Sequence, residues 1–167
     1  MKQLLHSEIK NLTHSKELIV ICDHIQDKKN IGMIFRIADA FGVKKIVLIN
    51  EEKKEIDQRL RRISRATLDI IPHLLIGDIH EYIEKLKKEK YHILALEKCD
   101  DSMAIYEKDW VVYRKIAMII GHENNGVSPR ILDSIDSAVH ISMYGKNSSM
   151  NVVNALAVGL YEVTKGL

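Results

Sequence analysis

Short apolar runs of strand length recur along the chain, and helical patterns separate several of them. A bounded apolar run of about four to eight residues is typical of a buried strand. Strands that are apolar on both faces are typical of a parallel sheet covered on both sides. The pattern therefore predicts an α/β fold in which helices sandwich a mostly parallel sheet. The five predicted strands are Glu17–Cys22, Lys45–Ile49, Tyr91–Leu96, Lys115–Ile120 and Ala138–Met143.

Three other segments have the hydrophobic period of an amphipathic helix. They cover residues 31–38, 78–90 and 152–163, and the middle one is the most highly charged. In each segment, apolar residues recur three or four positions apart, so that they form one stripe on a helix. The residues expected to face the core are Ile31, Ile34, Phe35, Ala38, Ile79, Ile83, Leu86, Val152, Ala155, Leu156, Gly159, Leu160 and Val163.

The composition is that of a folded protein, with 46% hydrophobic and 29% charged residues among 167, and this excludes the disordered class. A net charge of +2 is too small to indicate nucleic-acid binding, so any such contact must depend on a local patch. No segment has the roughly 20 successive apolar residues of a membrane-spanning helix, and no signal peptide precedes the first strand. We expect one domain over residues 1–167 and a cytoplasmic location.

The two cysteines, Cys22 and Cys99, lie far apart and have no metal-ligand spacing. Cys22 ends an apolar run, so we expect a buried, reduced thiol at the end of a strand. The eight histidines are scattered along the chain. The sequence therefore predicts no metal site.

Polar or glycine-rich segments follow three successive predicted strands. In parallel sheets, ligands bind beyond the carboxyl ends of the strands. Glu97-Lys98 follows one strand, Gly121–Gly126 the next, and Tyr144–Ser149 the last. Glycine allows a backbone to approach a ligand closely, although glycine, asparagine and serine are also common in ordinary turns. Their occurrence at consecutive strand ends favours a binding site.

Three segments resemble, in order, the signatures of the SpoU/TrmH methyltransferases of the SPOUT superfamily. Asn30–Val43 is similar to the first signature, with an Asn, a small residue, an Arg and a closing Phe-Gly. Gly121–Gly126 has the Gly-x-Glu-x-x-Gly form of the second. Ile141–Glu162, which includes Ser149-Met150-Asn151, is similar to the third. Each motif is weak alone, and the ordered triplet carries the resemblance.

The resemblance implies an S-adenosylmethionine-dependent enzyme that methylates ribose 2′-hydroxyls in structured RNA, with tRNA favoured over rRNA. It also implies a C-terminal trefoil knot and a homodimer that packs through the knot-side helices. The cofactor would lie in a bent conformation among the three strand-end loops. By the same resemblance, the expected cofactor-binding residues are Leu96, Glu97, Gly121, Ile141, Met143, Gly145, Ser149 and Met150. For Ile141 and Met150, core packing is an equally good explanation.

The resemblance assigns the catalytic site to Asn30, Arg36, Glu123, Ser149 and Asn151. Arg36 matches the family's catalytic arginine. Because a guanidinium keeps its proton with a pKa above about 12, Arg36 suits phosphate anchoring better than proton abstraction. Asn30 and Ser149 have an alternative explanation as helix N-caps.

The densest basic run is Arg59, Arg61, Arg62 and Arg65. Four arginines in seven residues predict contact with RNA phosphates, against the alternative of a solvated face. Three other functions compete with ribose methylation: methylation of an RNA base, RNA binding without turnover, and dinucleotide binding. No Gly-x-Gly-x-x-Gly follows the first strand, which argues against the last.

Overall fold

The computed structural model describes residues 2–8, 10–49, 58–65 and 67–165. Within these residues, seven strands form one sheet in the order β3-β2-β1-β6-β4-β7-β5, and all six strand pairs are parallel. The predicted α/β fold is therefore confirmed. The strands are β1 (Glu17–Asp23), β2 (Lys45–Ile49), β3 (His73–Ile76), β4 (His92–Leu96), β5 (Met103–Ala104), β6 (Lys115–Ile120) and β7 (Ser137–His140).

Six α-helices and two short 3₁₀ helices, His6–Glu8 and Ile105–Glu107, complete the described secondary structure. The three predicted helices correspond to α1, α4 and α6. Nearly all of their predicted core residues are buried, and Ile31, Val152 and Ala155 are partly buried and pack against the core. The α-helices are α1 (Lys28–Ala40), α2 (Gln58–Ser64), α3 (Thr67–Ile70), α4 (His80–Lys88), α5 (Pro129–Leu132) and α6 (Val152–Thr164).

The strand predictions need three corrections. β3 and β5 were not predicted, because both are short edge strands without a long apolar run. The last predicted strand extended to Met143, whereas β7 ends at His140. The last residue of β4 pairs with Val139 and the last residue of β5 pairs with His140. The chain after His140 therefore has no neighbouring strand to pair with. Ile141 and Met143 are consequently free to line a cleft.

Side chains from alternate positions of the strands enter two separate cores. On β1, Leu18 and Val20 join the core beneath α1 and α6, whereas Ile19 and Ile21 join the one beneath α4 and α5. The strands are therefore apolar throughout because both faces are covered. No helix among the described residues is both long and apolar enough to cross a membrane.

Two glycines allow helices to approach their neighbours closely. At Gly32 on α1, a Cβ atom would lie 2.5 Å from Cγ2 of Ile63 on α2. At Gly159 on α6, it would lie 3.0 Å from Cδ2 of Leu96 and 3.0 Å from Sδ of Met118. These contacts fix α1 and α6, which carry two of the three sequence signatures.

Candidate active site

A cleft of about 690 Å³ opens at the carboxyl ends of the adjacent strands β6, β4 and β7. All three predicted strand-end loops contribute to it. This agrees with the general position of ligand sites in open parallel sheets. The cleft is lined by Leu96, Glu97, Lys98, Gly121, His122, Glu123, Asn124, Asn125, Gly126, His140, Ile141, Met143, Ser148, Ser149, Met150, Asn151, Val152 and Ala155.

A chain of hydrogen bonds joins residues from the three sequence signatures. Asn151 Nδ2 donates to Asn30 Oδ1 at 3.2 Å, and Asn30 Nδ2 donates to Glu123 Oε1 at 3.0 Å. Glu123 also accepts from the backbone N–H groups of Asp27 at 3.2 Å and Gln26 at 3.4 Å. Residues about 120 positions apart in the sequence thus meet at one edge of the cleft.

The Glu123 carboxylate holds the segment that leads into α1. Partial burial alone would raise its pKa, but hydrogen bonds from Asn30 and from nearby backbone N–H groups outweigh that effect and lower the pKa. Glu123 is therefore ionised at neutral pH and serves as a hydrogen-bond acceptor. A carboxylate with a lowered pKa is poorly suited to act as a general base.

Two capping alternatives considered from the sequence are wrong. The N-cap of α1 is Asp27, whose side chain accepts from Lys29 N at 2.8 Å, and Asn30 lies inside the first turn. The N-cap of α6 is Asn151, which accepts from Val153 N at 2.8 Å, and not Ser149. Each helix has an Asx residue closer to its true start, and a side chain can cap only the adjacent turn. The Asn30 amide is therefore left for Glu123 and Asn151.

Arg36 lies on α1, one to two turns beyond Asn30, and is half-buried. Its Nη1 atom lies 3.5 Å from Met33 Sδ, and Arg36 is not among the residues that line the cleft. The structure thus places Arg36 and Asn30 on the same helix but does not bring the guanidinium into the Asn30–Glu123–Asn151 network.

The predicted basic run lies on α2 and the turn that follows it. Arg61 forms an ion pair with Asp69, whereas Arg62 and Arg65 are exposed. Arg65 has a left-handed backbone with φ of +49°, an uncommon conformation for a residue with a side chain. The side chain of Arg59 lies outside the described part of the structure.

The loop between β6 and α5, residues 121–128, is a tight hairpin. Backbone hydrogen bonds of 3.0 and 2.9 Å join His122 and Gly126. A Cβ atom at Gly121 would collide with the backbone of Gly126 and Val127. Gly126 has a φ of +66°, and a Cβ atom there would collide with the Glu97 carboxylate. Both glycines of the Gly-x-Glu-x-x-Gly motif are therefore required by the shape of the loop.

Two carboxylates hold the end of this loop. Glu97 Oε2 accepts from Val127 N at 2.9 Å, and Asp23 Oδ2 accepts from Ser128 N at 2.7 Å. Asp23 was not predicted as a site residue, although a search for polar residues at strand ends would have found it directly after the apolar run of β1. Asp23 is 1% exposed, and His24 Nδ1 lies 2.6 Å from its Oδ1 atom.

The loop that follows β7 is held much less firmly. Among the described residues, no backbone hydrogen bond involves residues 142–150. Met143, Ser149 and Met150, which were expected to bind the cofactor, line the cleft, and Gly145 lies outside its lining. The cofactor-binding assignments of Leu96, Glu97, Gly121 and Ile141 also fall within the cleft. The Ser149 side chain is exposed and does not take part in the network around Asn30.

The remaining polar chemistry near the cleft is limited. Cys22 is a free, buried thiol, as predicted, and burial, with smaller effects of the nearby Glu123 and Asp23 charges, raises its pKa. It is therefore unreactive as a nucleophile. No group of three or more His, Cys, Asp or Glu side chains is placed to hold a metal ion within the described ranges.

Known proteins share both the sequence pattern and the architecture. A 23S rRNA (guanosine-2′-O-)-methyltransferase, RlmB, of Pseudomonas putida is 24% identical over 98% of this chain and 64% of its own length. The crystal structure of the A. aeolicus TrmH/SpoU tRNA modifying enzyme superposes with a TM-score of 0.79 and 27% identity, covering 89% of this chain and 74% of that one. The methyltransferase AviRb of Streptomyces viridochromogenes, solved with AdoMet, has the same fold, with a TM-score of 0.80, 24% identity and coverage of 90% and 60%.

This chain spans 57% to 64% of the length of the curated relatives that it matches. The sequence model of the SpoU rRNA Methylase family matches residues 17–161, from the first residue of β1 to the last turns of α6. The chain therefore belongs to the SpoU rRNA Methylase family.

Proposed function

We propose that this protein transfers a methyl group from S-adenosylmethionine to a ribose 2′-hydroxyl in structured RNA, so that S-adenosylhomocysteine is released and the hydroxyl proton passes to water. The observation that carries the proposal is the hydrogen-bonded path Asn151–Asn30–Glu123 at the edge of the cleft. It joins one polar residue from each of the three family signatures. The P. putida relative is a guanosine-2′-O-methyltransferase, which supports ribose over base as the acceptor.

The residues of the cleft fit this cofactor. Its volume of about 690 Å³ lies within the usual range for small-molecule sites, about 300–1,000 Å³. Leu96, Ile141 and Met150 offer apolar surface for a purine ring, and residues 142–150 offer backbone donors and acceptors that bond to no other described residue. When bound, the cofactor supplies an electrophilic methyl group on a sulfonium. AviRb, which has the same fold, was solved with AdoMet.

The chain's own residues would position the acceptor. A guanidinium can hold a phosphate bidentately, so we assign Arg36 to the phosphate next to the target ribose. Asn30, held by Glu123 and Asn151, is oriented to contact the ribose. Rigid placement of a nucleophile near the electrophilic carbon lowers the barrier by removing orientational freedom.

The RNA would extend from the cleft over α2. Arg62 and Arg65 are exposed there, whereas Arg61 is engaged by Asp69, so we assign phosphate contact to the first two. We propose tRNA as the substrate. The tRNA modifying enzyme of A. aeolicus matches at 27% identity over 74% of its length, compared with 24% and 64% for the rRNA enzyme.

We further propose a homodimer that packs through α6. Val158 and Tyr161, one turn apart on this helix, are 39% and 61% exposed and form an apolar face that water would otherwise contact. The trefoil knot stays a prediction; the return of α6 after β7 to pack against α1 and β4 supports it. Light scattering of the wild type and of Tyr161→Glu tests the dimer, and a monomeric wild type would contradict it.

The experiment that tests the proposed function is methyl transfer from isotope-labelled S-adenosylmethionine to separate pools of unmodified tRNA and rRNA. Digested product is analysed for 2′-O-methylated nucleosides. Arg36→Ala should lose on the order of a hundredfold or more in rate, as expected when a positioning contact is removed. Arg114→Ala is the matched control, because Arg114 precedes β6 at the opposite end of the sheet and should leave the rate unchanged.

Each outcome separates the competing functions. Label on ribose that disappears in Arg36→Ala supports ribose methylation, and the labelled pool identifies the RNA class. Label on a base would show a base methyltransferase. RNA binding without binding of S-adenosylmethionine would show a non-catalytic module.

A further inference from the structure

The end of the 121–128 loop is hydrogen-bonded on both sides by residues at the ends of the two strands that flank β6. In the sheet, β6 lies between β1 and β4. Asp23 ends β1 and bonds the backbone N–H of Ser128, whereas Glu97 follows β4 and bonds the backbone N–H of Val127. Two consecutive amides are thus held by two carboxylates that arrive from opposite neighbours.

We propose that Asp23 and Glu97 form a carboxylate bracket that positions the 121–128 loop for cofactor binding; this inference rests on the proposed function. The two residues act through the loop and are therefore positioning residues. The sequence resemblance had assigned Glu97 to direct contact with the cofactor. The geometry adds a positioning role, because its Oε1 atom accepts from Lys98 N at 2.8 Å while Oε2 accepts from Val127 N.

The buried carboxylate of Asp23 needs hydrogen-bond donors, and the loop supplies one of them. Asp23 is 1% exposed, and a buried carboxylate is retained only where donors satisfy it. His24 Nδ1 and Ser128 N occupy its two oxygens at 2.6 and 2.7 Å. His24, which makes this contact, has a left-handed backbone with φ of +54°, an uncommon conformation for a residue with a side chain. Such an outlier persists when the surrounding contacts require it.

The bracket determines the shape of the part of the loop that faces the cleft. Residues 121–126 all line the cleft, and the hairpin between His122 and Gly126 is anchored directly beyond its end by Val127 and Ser128. Gly126 leaves just enough space for the Glu97 carboxylate, because a Cβ atom would collide with it. If the bracket is loosened, part of the cofactor's binding free energy is spent on ordering the loop, and affinity falls.

Two measurements on the intact protein test the bracket without RNA. The first is amide hydrogen exchange at Val127 and Ser128, and the second is the dissociation constant for S-adenosylmethionine by calorimetry. We expect Glu97→Gln to speed exchange at Val127 and to raise the dissociation constant, each about tenfold, because a charge-assisted bond becomes a neutral one. Asp23→Asn should act in the same direction at Ser128.

Control variants distinguish positioning from general destabilisation. Asp101→Asn changes an exposed carboxylate in the loop that contains Glu97 and should alter neither quantity. Ile46→Val shortens a fully buried side chain of β2 in the core that contains no residue of the 121–128 loop, so it should lower overall stability with no change in cofactor affinity. Should Asp23→Asn fail to fold, Glu97→Gln still decides the question, since Glu97 is only partly buried.

The outcomes are separable from those of the proposed function. Unchanged exchange at Val127 in Glu97→Gln, or faster exchange with an unchanged dissociation constant, overturns the bracket. The bracket is also overturned if Ile46→Val weakens cofactor binding as much as Glu97→Gln does. A wild-type protein that binds no S-adenosylmethionine contradicts the proposed function instead, and exchange at Val127 still reports whether Glu97 holds the loop.

Discussion

The two longest loops of the cleft are built in opposite ways. The 121–128 loop has its own hairpin hydrogen bonds, receives carboxylates from two neighbouring strands and sends Glu123 to the segment before α1. In the loop that follows β7, residues 142–150 make no backbone hydrogen bond to another described residue. Both loops are rich in glycine and small polar residues, so this difference arises from their surroundings.

The contrast indicates a division of labour. A loop whose polar groups are already bonded can hold catalytic side chains in one place, which catalysis requires. A loop with unused backbone donors and acceptors can bind a ligand through them, without a specific side chain. We therefore expect substitutions in the 121–128 loop to affect the folded state, and substitutions in residues 142–150 to affect ligand binding with little change in stability.

The largest expected difference is between two glycine substitutions. Gly121→Ala would place a Cβ atom inside the backbone of Gly126 and Val127, and we expect a loss on the order of 3 kcal/mol in the free energy of unfolding. A Cβ atom at Gly145 would meet nothing within 4 Å. Gly145→Ala should therefore leave the free energy of unfolding unchanged or raise it by up to about 1 kcal/mol, because alanine restricts the unfolded chain. Urea unfolding measures both, and equal losses would remove the contrast between the loops.

A second prediction concerns Asn151, which caps α6 and also bonds Asn30. Asn151→Ala should lower the free energy of unfolding by about 1 kcal/mol through loss of the cap. Asn151→Asp keeps a good capping oxygen but has no amide to donate to Asn30 Oδ1, so it should keep the stability and lose methyl transfer. Unfolding curves and methyl-transfer rates of the two variants provide the measurement. Full activity of Asn151→Asp would contradict the assignment.

A third prediction follows from the lowered pKa of Glu123. Because the folded-state pKa lies below the ordinary value of 4.5, ionised Glu123 stabilises the fold above that pH, and the stabilisation is lost as the pH falls through the folded-state pKa. Glu123→Gln should therefore be less stable than the wild type at neutral pH by less than about 1 kcal/mol, since the partly covered carboxylate is still largely exposed and solvent screens its interactions. Urea titrations at several pH values should show the two proteins converging in acid; a gap that widens in acid would be the wrong sign.

The smallest stability effect is expected at Tyr144 in the loop after β7. Its side chain is 92% exposed, so Tyr144→Ser should change the free energy of unfolding by less than about 0.5 kcal/mol. Thermal unfolding provides the measurement. A large loss would show that residues 142–150 are held by contacts as strong as those of the 121–128 loop.

Much of the architecture could be predicted because it depends on local pattern. The five apolar runs and three amphipathic segments correspond to strands and helices in which several successive or regularly spaced residues are buried. β5 has only two residues, too few for such a pattern, and Pro72 and His73 interrupt the apolar residues around β3. β7 was predicted too long because Ile141 and Met143 continue the apolar run, although they lie beyond the end of the strand and line the cleft. The start of α1 was misplaced because Asp27 and Asn30 are both good capping residues.

The candidate site divides along the same line. The sequence by itself determined the sheet's strands, the strand-end loops and, by resemblance, the polar residues of the three signatures, because residue type and order carry that information. Only the tertiary structure decided that Asn30 bonds Glu123 and Asn151, that Glu97 bonds the loop backbone, and that Asp23 takes part at all. The residues in each of these contacts are separated by between 30 and 121 positions in the sequence. Such pairings depend on how the parallel strands are ordered in the sheet, which no local pattern specifies.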